Sequence, residues 1–249
     1  MVDLAFNLTA TGFATPAEGR AIMHAVAGAL TSHAVPHLMV EADADDPQWT
    51  SARPARSLSL TGAAKYSNAL DDALVAAVPA ACPSATADLE WEPAGDGAMA
   101  RQERVVHAYR LARMFNAVDD GAVARGFRRR IDGATVEEAL LNAMAEARVI
   151  APIDWKASPE EVQAGLGQLR LLPAGDRTVA ETVAEYTAVP TDDEQPYLAI
   201  SRAVQKGLEP AVLLELSNGD TPCFLAAPPN LADDLVEAAA RAGLDVSRV

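Results

Sequence analysis

Five residues stand where their types and spacing could do chemistry: Asp154, Lys156, Arg128, Arg129 and Arg130. The first two belong to "VIAPIDWKASPEEV", residues 149–162, in which an apolar run ends in Asp154-Trp155-Lys156. A lysine beside a carboxylate can move protons if it is desolvated. In an extended strand, however, Ile153 and Trp155 share one face while Asp154 and Lys156 share the other. Burying the indole withdraws about 150–250 Å² from water, worth roughly 4–6 kcal/mol as an upper bound, against about 0.2–1 kcal/mol for an exposed Asp–Lys pair. The pattern therefore predicts a solvated strand end leading into a capped helix, with Trp155 as an interior wedge. The arginines belong to "RGFRRR", residues 125–130, conspicuous in an acidic chain. Such a run can hold a phosphate, a nucleic-acid backbone or an acidic partner. Pairing with the chain's own carboxylates across a domain interface is the favoured reading.

Other reactive types are scattered. His33, His37, Glu41, Asp43, Asp45 and Asp46 crowd one stretch. Two histidines four apart share a helix face in zinc motifs, but Pro36 interrupts the helix. The aspartates lack the glycine and the terminal glutamate of a calcium loop. No metal is predicted there. A serine nucleophile elbow, a phosphate loop and a dinucleotide fingerprint are all missing from the sequence. No catalytic residue and no cofactor is predicted. Cys82 and Cys223 have no metal-like spacing, so buried thiols in a reducing cytoplasm are expected.

The 249 residues carry a net charge of −15 and a pI near 4.6. Such a surface repels phosphate backbones and anionic membranes and favours basic protein partners, or serves solubility alone. No apolar run approaches the roughly 20 residues of a membrane helix. "MVDLAFNLTATGF" lacks the basic start and apolar stretch of a secretory leader.

These residues are positioned by elements that can be read from periodicity. Residues 1–94 alternate strand and helix. "DLAFNLT" puts Leu4, Phe6 and Leu8 on one face; Thr15, Pro16 and Glu18 start a helix with Ile22, Val26, Ala29 and Leu30 inward. "PHLMVEA" and "RSLSLTG" are strands, residues 68–79 a helix stopped by Pro79, and "ATADLEWEP" a strand with Leu89 and Trp91 inward. The order βαββαβ predicts a ferredoxin-like domain. Its open face would be polar and acidic, with Asn7, Thr9, Glu41, Ser57, Ser59, Asp88 and Glu90, and without the aromatic and basic groups that RNA needs. Residues 95–148 are a linker around 93–103 followed by a helical segment, whose clearest helix starts at the capping box Thr135/Glu138. Residues 149–249 form a mixed domain: strand, a helix capped by Ser158, a helix over 197–207 closed by Gly207, a hairpin turning at Asn218-Gly219, a helix capped at Asn230, and an edge strand "LDVSRV". The same element order predicts a second ferredoxin-like unit with helical insertions. The fold class is α+β.

Residues 105–249 also resemble an uncharacterised bacterial family of unknown function. The likeness rests on Ile153-Asp154-Trp155-Lys156, the acidic helix start Glu160-Glu161, "LLELSNGDTPCFLA" and "AARAGL". It implies no activity, cofactor or catalytic residue. The expected role is a non-catalytic binding or regulatory protein, with an inhibitor or immunity protein acting on a basic toxin or enzyme as its concrete version. The alternative is an enzyme or small-molecule binder whose interdomain cleft uses Asp154, Lys156 or Arg128–Arg130; a structural oligomer is the third.

Overall fold

The computed structural model of the chain describes residues 3–37, 57–169, 183, 196–217 and 221–249. The fold is α+β, with a three-stranded and a four-stranded antiparallel sheet among the described residues. Two compact units divide it, Met1–Val106 and His107–Val249.

The first unit is built on β1 (Asp3–Thr11), β2 (Ser57–Lys65) and β3 (Thr86–Pro93), in the order β2-β1-β3. Period-two alternation puts Phe6, Leu8, Ala10, Leu58, Leu60 and Ala64 in the core. Against them lie α1 (Pro16–Ser32) and α2 (Asn68–Ala81), through Ile22, Val26, Leu30, Leu70, Leu74 and Val78. The α1 capping box is present: Glu18 N–H donates to Thr15 Oγ1 at 3.2 Å, and Thr15 N–H donates to Glu18 Oε2 at 2.9 Å. β2 and β3 both run antiparallel to β1, so they are parallel to each other with β1 between them, joined through α2. That is one split βαβ unit of the ferredoxin-like plan. The strand expected at 36–42, which would complete the plan beside β2, lies outside the described residues from position 38 onward.

Two details of this unit differ from the sequence reading. Pro79 does not stop α2, which continues to Ala81. In the last turn its missing N–H forfeits one bond only, and Val75, on the solvent side, stays 38 % exposed. Residues 98–103, read as linker, already belong to α3 (Ala98–Met114). There Gln102 meets the edge of β2: its amide donates to Ala63 O at 3.2 Å and to Pro36 O, and accepts from Ala63 N–H at 2.6 Å. A side-chain amide thus answers both backbone groups that an adjoining strand would have answered.

The second unit has a helical part and a sheet part. In the helical part, the later turns of α3, the short α4 (Asn116–Asp119), α5 (Ala122–Arg130) and α6 (Val136–Glu146) bury Tyr109, Leu111, Phe115, Phe127, Leu140 and Met144. Both carboxylate oxygens of Asp119 receive backbone N–H groups at the start of α5, from Gly121 at 2.9 Å and Val123 at 2.7 Å. At α6, the Thr135/Glu138 capping box is formed.

The sheet part contains β4 (Ala151–Pro152), α7 (Pro159–Leu166), α8 (Pro196–Leu208), β5 (Val212–Ser217), β6 (Cys223–Ala227), α9 (Pro229–Arg241) and β7 (Asp245–Arg248). The chain order strand, helix, hairpin, helix, strand is as expected, although Asn218 and Gly219 lie outside the described residues. Two helix ends shift: α8 runs past Gly207 to Leu208, and Pro228 rather than Asn230 precedes α9.

The strand order, β4-β6-β5-β7, corrects the expectation of a second ferredoxin-like sheet. In that plan the last strand returns beside the first; here β7 lies beside β5, at the opposite edge. The placement of the helices follows. β4 and β5 are parallel with β6 between them, and β6 and β7 are parallel with β5 between them. Both crossovers advance the same way across the sheet on strands of opposite sense, so right-handed connections put their helices on opposite faces. Accordingly, Leu213, Phe224 and Ala226 pack with Val162, Leu166, Ile200 and Val204 of α7 and α8. On the other face, Arg248 of β7 pairs with Asp233 of α9. With both faces covered, every residue of β6 is buried, and the segment reads as an unbroken small and apolar run, CFLAA.

Candidate functional site

The Asp154–Lys156 segment is a turn, not a strand end. β4 stops at Pro152, and the next backbone groups turn back: Ala157 N–H donates to Asp154 O at 2.9 Å, and Lys156 N–H donates to Asp154 Oδ1 at 2.8 Å. The aspartate side chain therefore closes an Asx turn. Ser158 follows as the N-cap of α7, its hydroxyl accepting from Glu161 N–H at 3.3 Å and its own N–H donating to Glu161 Oε2 at 2.8 Å.

The turn overturns the interior placement of Trp155. Ile153 is buried, but Trp155 is 52 % exposed, with Lys156 Nζ 4.6 Å from its ring centroid. Strand alternation ends once the backbone turns, so Ile153 and Trp155 no longer share a face. Trp91, by contrast, is half-buried against the core of the first unit: its indole N–H donates to Asp71 Oδ1 at 2.7 Å, and its ring lies 5.2 Å from Tyr66 and 5.7 Å from Phe6. Asp154 and Lys156 are exposed and line an open cleft of about 290 Å³ with Pro152, Ile153, Ala157 and Glu161. Both carboxylates there already accept local backbone N–H groups, and the ammonium lies against the indole. The arrangement suits contact with a partner better than proton transfer, which calls for a desolvated base.

The arginine run is distributed by the helix. Arg130 pairs with Glu146 at 2.5 Å and donates to Gly126 O at 3.0 Å. The ion pair joins α5 to α6 inside one unit, so the pairing across a domain interface does not hold for Arg130. Arg128 is half-buried and Arg129 exposed. Arg129 shares a second cleft, of about 210 Å³, with Ala122, Arg125, Ala143, Glu146 and Ala147. The five predicted residues are therefore not brought together, since the cleft of Asp154 and Lys156 contains none of the arginines. Sequence reading missed Arg125 as a member of the set; its place one helical turn before Arg129 was the available signal.

The open face of the first sheet is as the alternation predicts. Ser57, Ser59, Thr61, Thr86, Asp88, Glu90 and Glu92 are exposed, opposite the helices. Ser59 donates to Asn7 Oδ1 at 2.8 Å, and Thr11 and Thr86 hydroxyls meet at 3.0 Å. Register sets Asp88 across from Thr9, Glu90 from Asn7 and Glu92 from Ala5, so three carboxylates line one strand beside uncharged neighbours.

Of the histidines, His33 Nδ1 lies 3.0 Å from Ala29 O and His37 Nε2 2.9 Å from Thr31 Oγ1, as in a helix-ending turn. The acidic stretch at 41–46 lies outside the described residues. Among the described residues no three His, Cys, Asp or Glu side chains gather as metal ligands, and no helix is long and apolar enough to cross a membrane. Both cysteines are buried. Burial pushes the Cys223 thiol up to about 11, which keeps it protonated and a poor nucleophile near neutrality.

Compared with protein-family models, with curated proteins and with solved structures, the chain matches none.

Proposed function

We propose that the protein is a non-catalytic binding protein that takes a basic segment of a protein partner on the open face of its first sheet. The observation that supports this reading is the row Asp88, Glu90 and Glu92, exposed on one side of β3. Alternate strand residues stand about 6.8 Å apart, the spacing at which lysines or arginines of an extended segment would meet them. The chain's charge of −15 extends the attraction and speeds encounter. An inhibitor or immunity protein that neutralises a basic toxin or enzyme is the concrete form of this reading. The resemblance of residues 105–249 to an uncharacterised bacterial family adds no activity to it. The alternative, an enzyme or small-molecule binder using Asp154, Lys156 and Arg128–Arg130 in one interdomain cleft, has less support, because Asp154 and Lys156 line one cleft and Arg129 another.

The test is titration of the full chain with lysine- and arginine-rich peptides at about 0.05 and 0.5 M salt, where the screening length falls from roughly 14 to 4 Å. Binding should weaken strongly with salt and vanish in the triple variant D88K/E90K/E92K. Binding unchanged in that variant, or no preference for basic over acidic peptides, refutes the reading.

A further inference from the structure

The cleft between α5 and α6 has a character opposite to the rest of the chain. Its rim carries Arg125 and Arg129, one helical turn apart on the exposed side of α5. Arg130 pairs with Glu146, Arg241 with Glu237 and Arg248 with Asp233, whereas neither Arg125 nor Arg129 has an ion-pair partner among the described residues. In a chain with 35 acidic and 20 basic residues, two guanidinium groups facing one concavity without carboxylates of their own need an explanation.

The packing beneath them makes the concavity. Gly126 lets the helices approach: a Cβ there would lie 3.1 Å from Ala143 Cβ. Ala122, Ala143 and Ala147 line the cleft with methyl groups, so its volume of about 210 Å³ stays unfilled. Gly121, at φ +74°, gives Arg125 its place, since a Cβ there would stand 3.0 Å from Arg125 Nη1. Glu146 is the one acidic residue in the lining, and Arg130 holds its carboxylate at 2.5 Å. Counting Arg125, Arg129, Arg130 and Glu146, the cleft has a formal charge of +2, which outweighs the partial negative charge of about half a unit at the C-terminal end of α6.

We propose that this cleft binds a small molecule through its phosphate group, with Arg125 and Arg129 each presenting a guanidinium fork to the oxygens. A phosphate monoester offers three terminal oxygens and close to two negative charges to the two forks, whereas a carboxylate offers two oxygens and one charge. Ligand pockets for larger molecules run to roughly 300–1,000 Å³, so this cleft suits a short phosphate ester. Glu146, fixed by Arg130, is placed to accept from a hydroxyl of such an ester, which favours a hydroxylated phosphate ester over the free ion. The site is independent of the acidic sheet face of the first unit.

Calorimetric titration of the full chain at low salt, with inorganic phosphate, glycerol 3-phosphate and acetate, tests this. Saturable one-to-one binding of the ester is expected, weaker for inorganic phosphate and weakest for acetate. It should decline below about pH 6, as the phosphate takes up its second proton. R125A/R129A should lose roughly 100-fold or more in affinity, while R241A binds as the wild type does; circular dichroism verifies that both variants remain folded. No saturable binding of either phosphate up to about 10 mM, acetate binding as tightly as phosphate, or binding that survives R125A/R129A overturns the proposal. Inorganic phosphate binding as tightly as the ester overturns the role of Glu146.

Discussion

Two tryptophans provide a quantitative test of how this chain is held together, because the sequence pattern turns both inward while the structure packs Trp91 against the core and leaves Trp155 largely in water. Trp155 is 52 % exposed, so roughly 100 Å² of indole leaves water, which limits its contribution to about 2 kcal/mol at 25 cal/mol/Å² after allowing for a compact unfolded chain. Of that, the Lys156 ammonium over the ring accounts for about 0.5–1 kcal/mol. Trp91 is tied more firmly, by its hydrogen bond to Asp71 and by ring contacts with Phe6 and Tyr66. Trp91→Ala leaves a cavity against the sheet and strands the Asp71 carboxylate, for a cost of roughly 3–5 kcal/mol. Urea unfolding of both alanine variants, followed by circular dichroism, reads these costs as shifts of midpoint at constant slope. Acrylamide quenching of single-tryptophan proteins supplies a second measure, with the indole at 155 quenched more readily than the one at 91. A Trp155→Ala cost above about 3 kcal/mol, or a Trp91→Ala cost below about 1 kcal/mol, refutes the placement of both side chains.

Gly12 has φ +88°, and a Cβ there would fall 2.7 Å from the Ser84 carbonyl oxygen; Gly12→Ala should therefore cost roughly 2–4 kcal/mol in thermal or urea unfolding, and a change under 0.5 kcal/mol would contradict the geometry. Burial raises the Glu215 carboxyl above the ordinary glutamate range, so it contributes most to stability at pH below that range and loses its contribution as pH rises through the raised, folded-state value. Glu215→Gln should accordingly gain stability relative to wild type between pH 4 and pH 7, and a flat difference across that range would oppose it. With its thiol pushed up to about 11 and buried, Cys223 should resist a thiol reagent at pH 8 until denaturant is added, whereas rapid native-state labelling of Cys223 in a Cys82→Ser protein would show that the β6 strand is accessible.

The sequence disclosed what local rules control. Thr15 with Glu18, Thr135 with Glu138 and Ser158 with Glu161 each close the capping box that their spacing announces. Alternation in β1, β2 and β3 separated core from open face, including Asp88 and Glu90; Glu92 extends that row in the structure. The end of β4 was misread because alternation was carried through Trp155. Yet Asp154 is a turn-forming residue, and a capped helix starting at Ser158-Pro159 leaves four residues in which the chain must change direction. The strand order of the second sheet was not legible at all. Whether β7 lies beside β4 or β5 depends on pairing between residues more than thirty apart, such as Glu215 with Ser247, and both edges accept the same short sequence. The arginine cleft was half legible: the cluster stood out, but the division into Arg130, tied to Glu146, and Arg125 with Arg129, turned to the cleft, depends on how α6 packs on α5.

The two sheets differ in how freely they can be rewritten. In the second, helices on both sides leave no position of Cys223–Ala227 where a polar or larger side chain would find room. In the first, every other residue of Ser57–Lys65 and Thr86–Pro93 looks outward, apart from Ala63, which is buried beside Gln102. Those outward positions can exchange one charge pattern for another while the residues between them keep the scaffold standing. Substitutions at those positions can therefore redraw the charge of the face without disturbing the packing behind it.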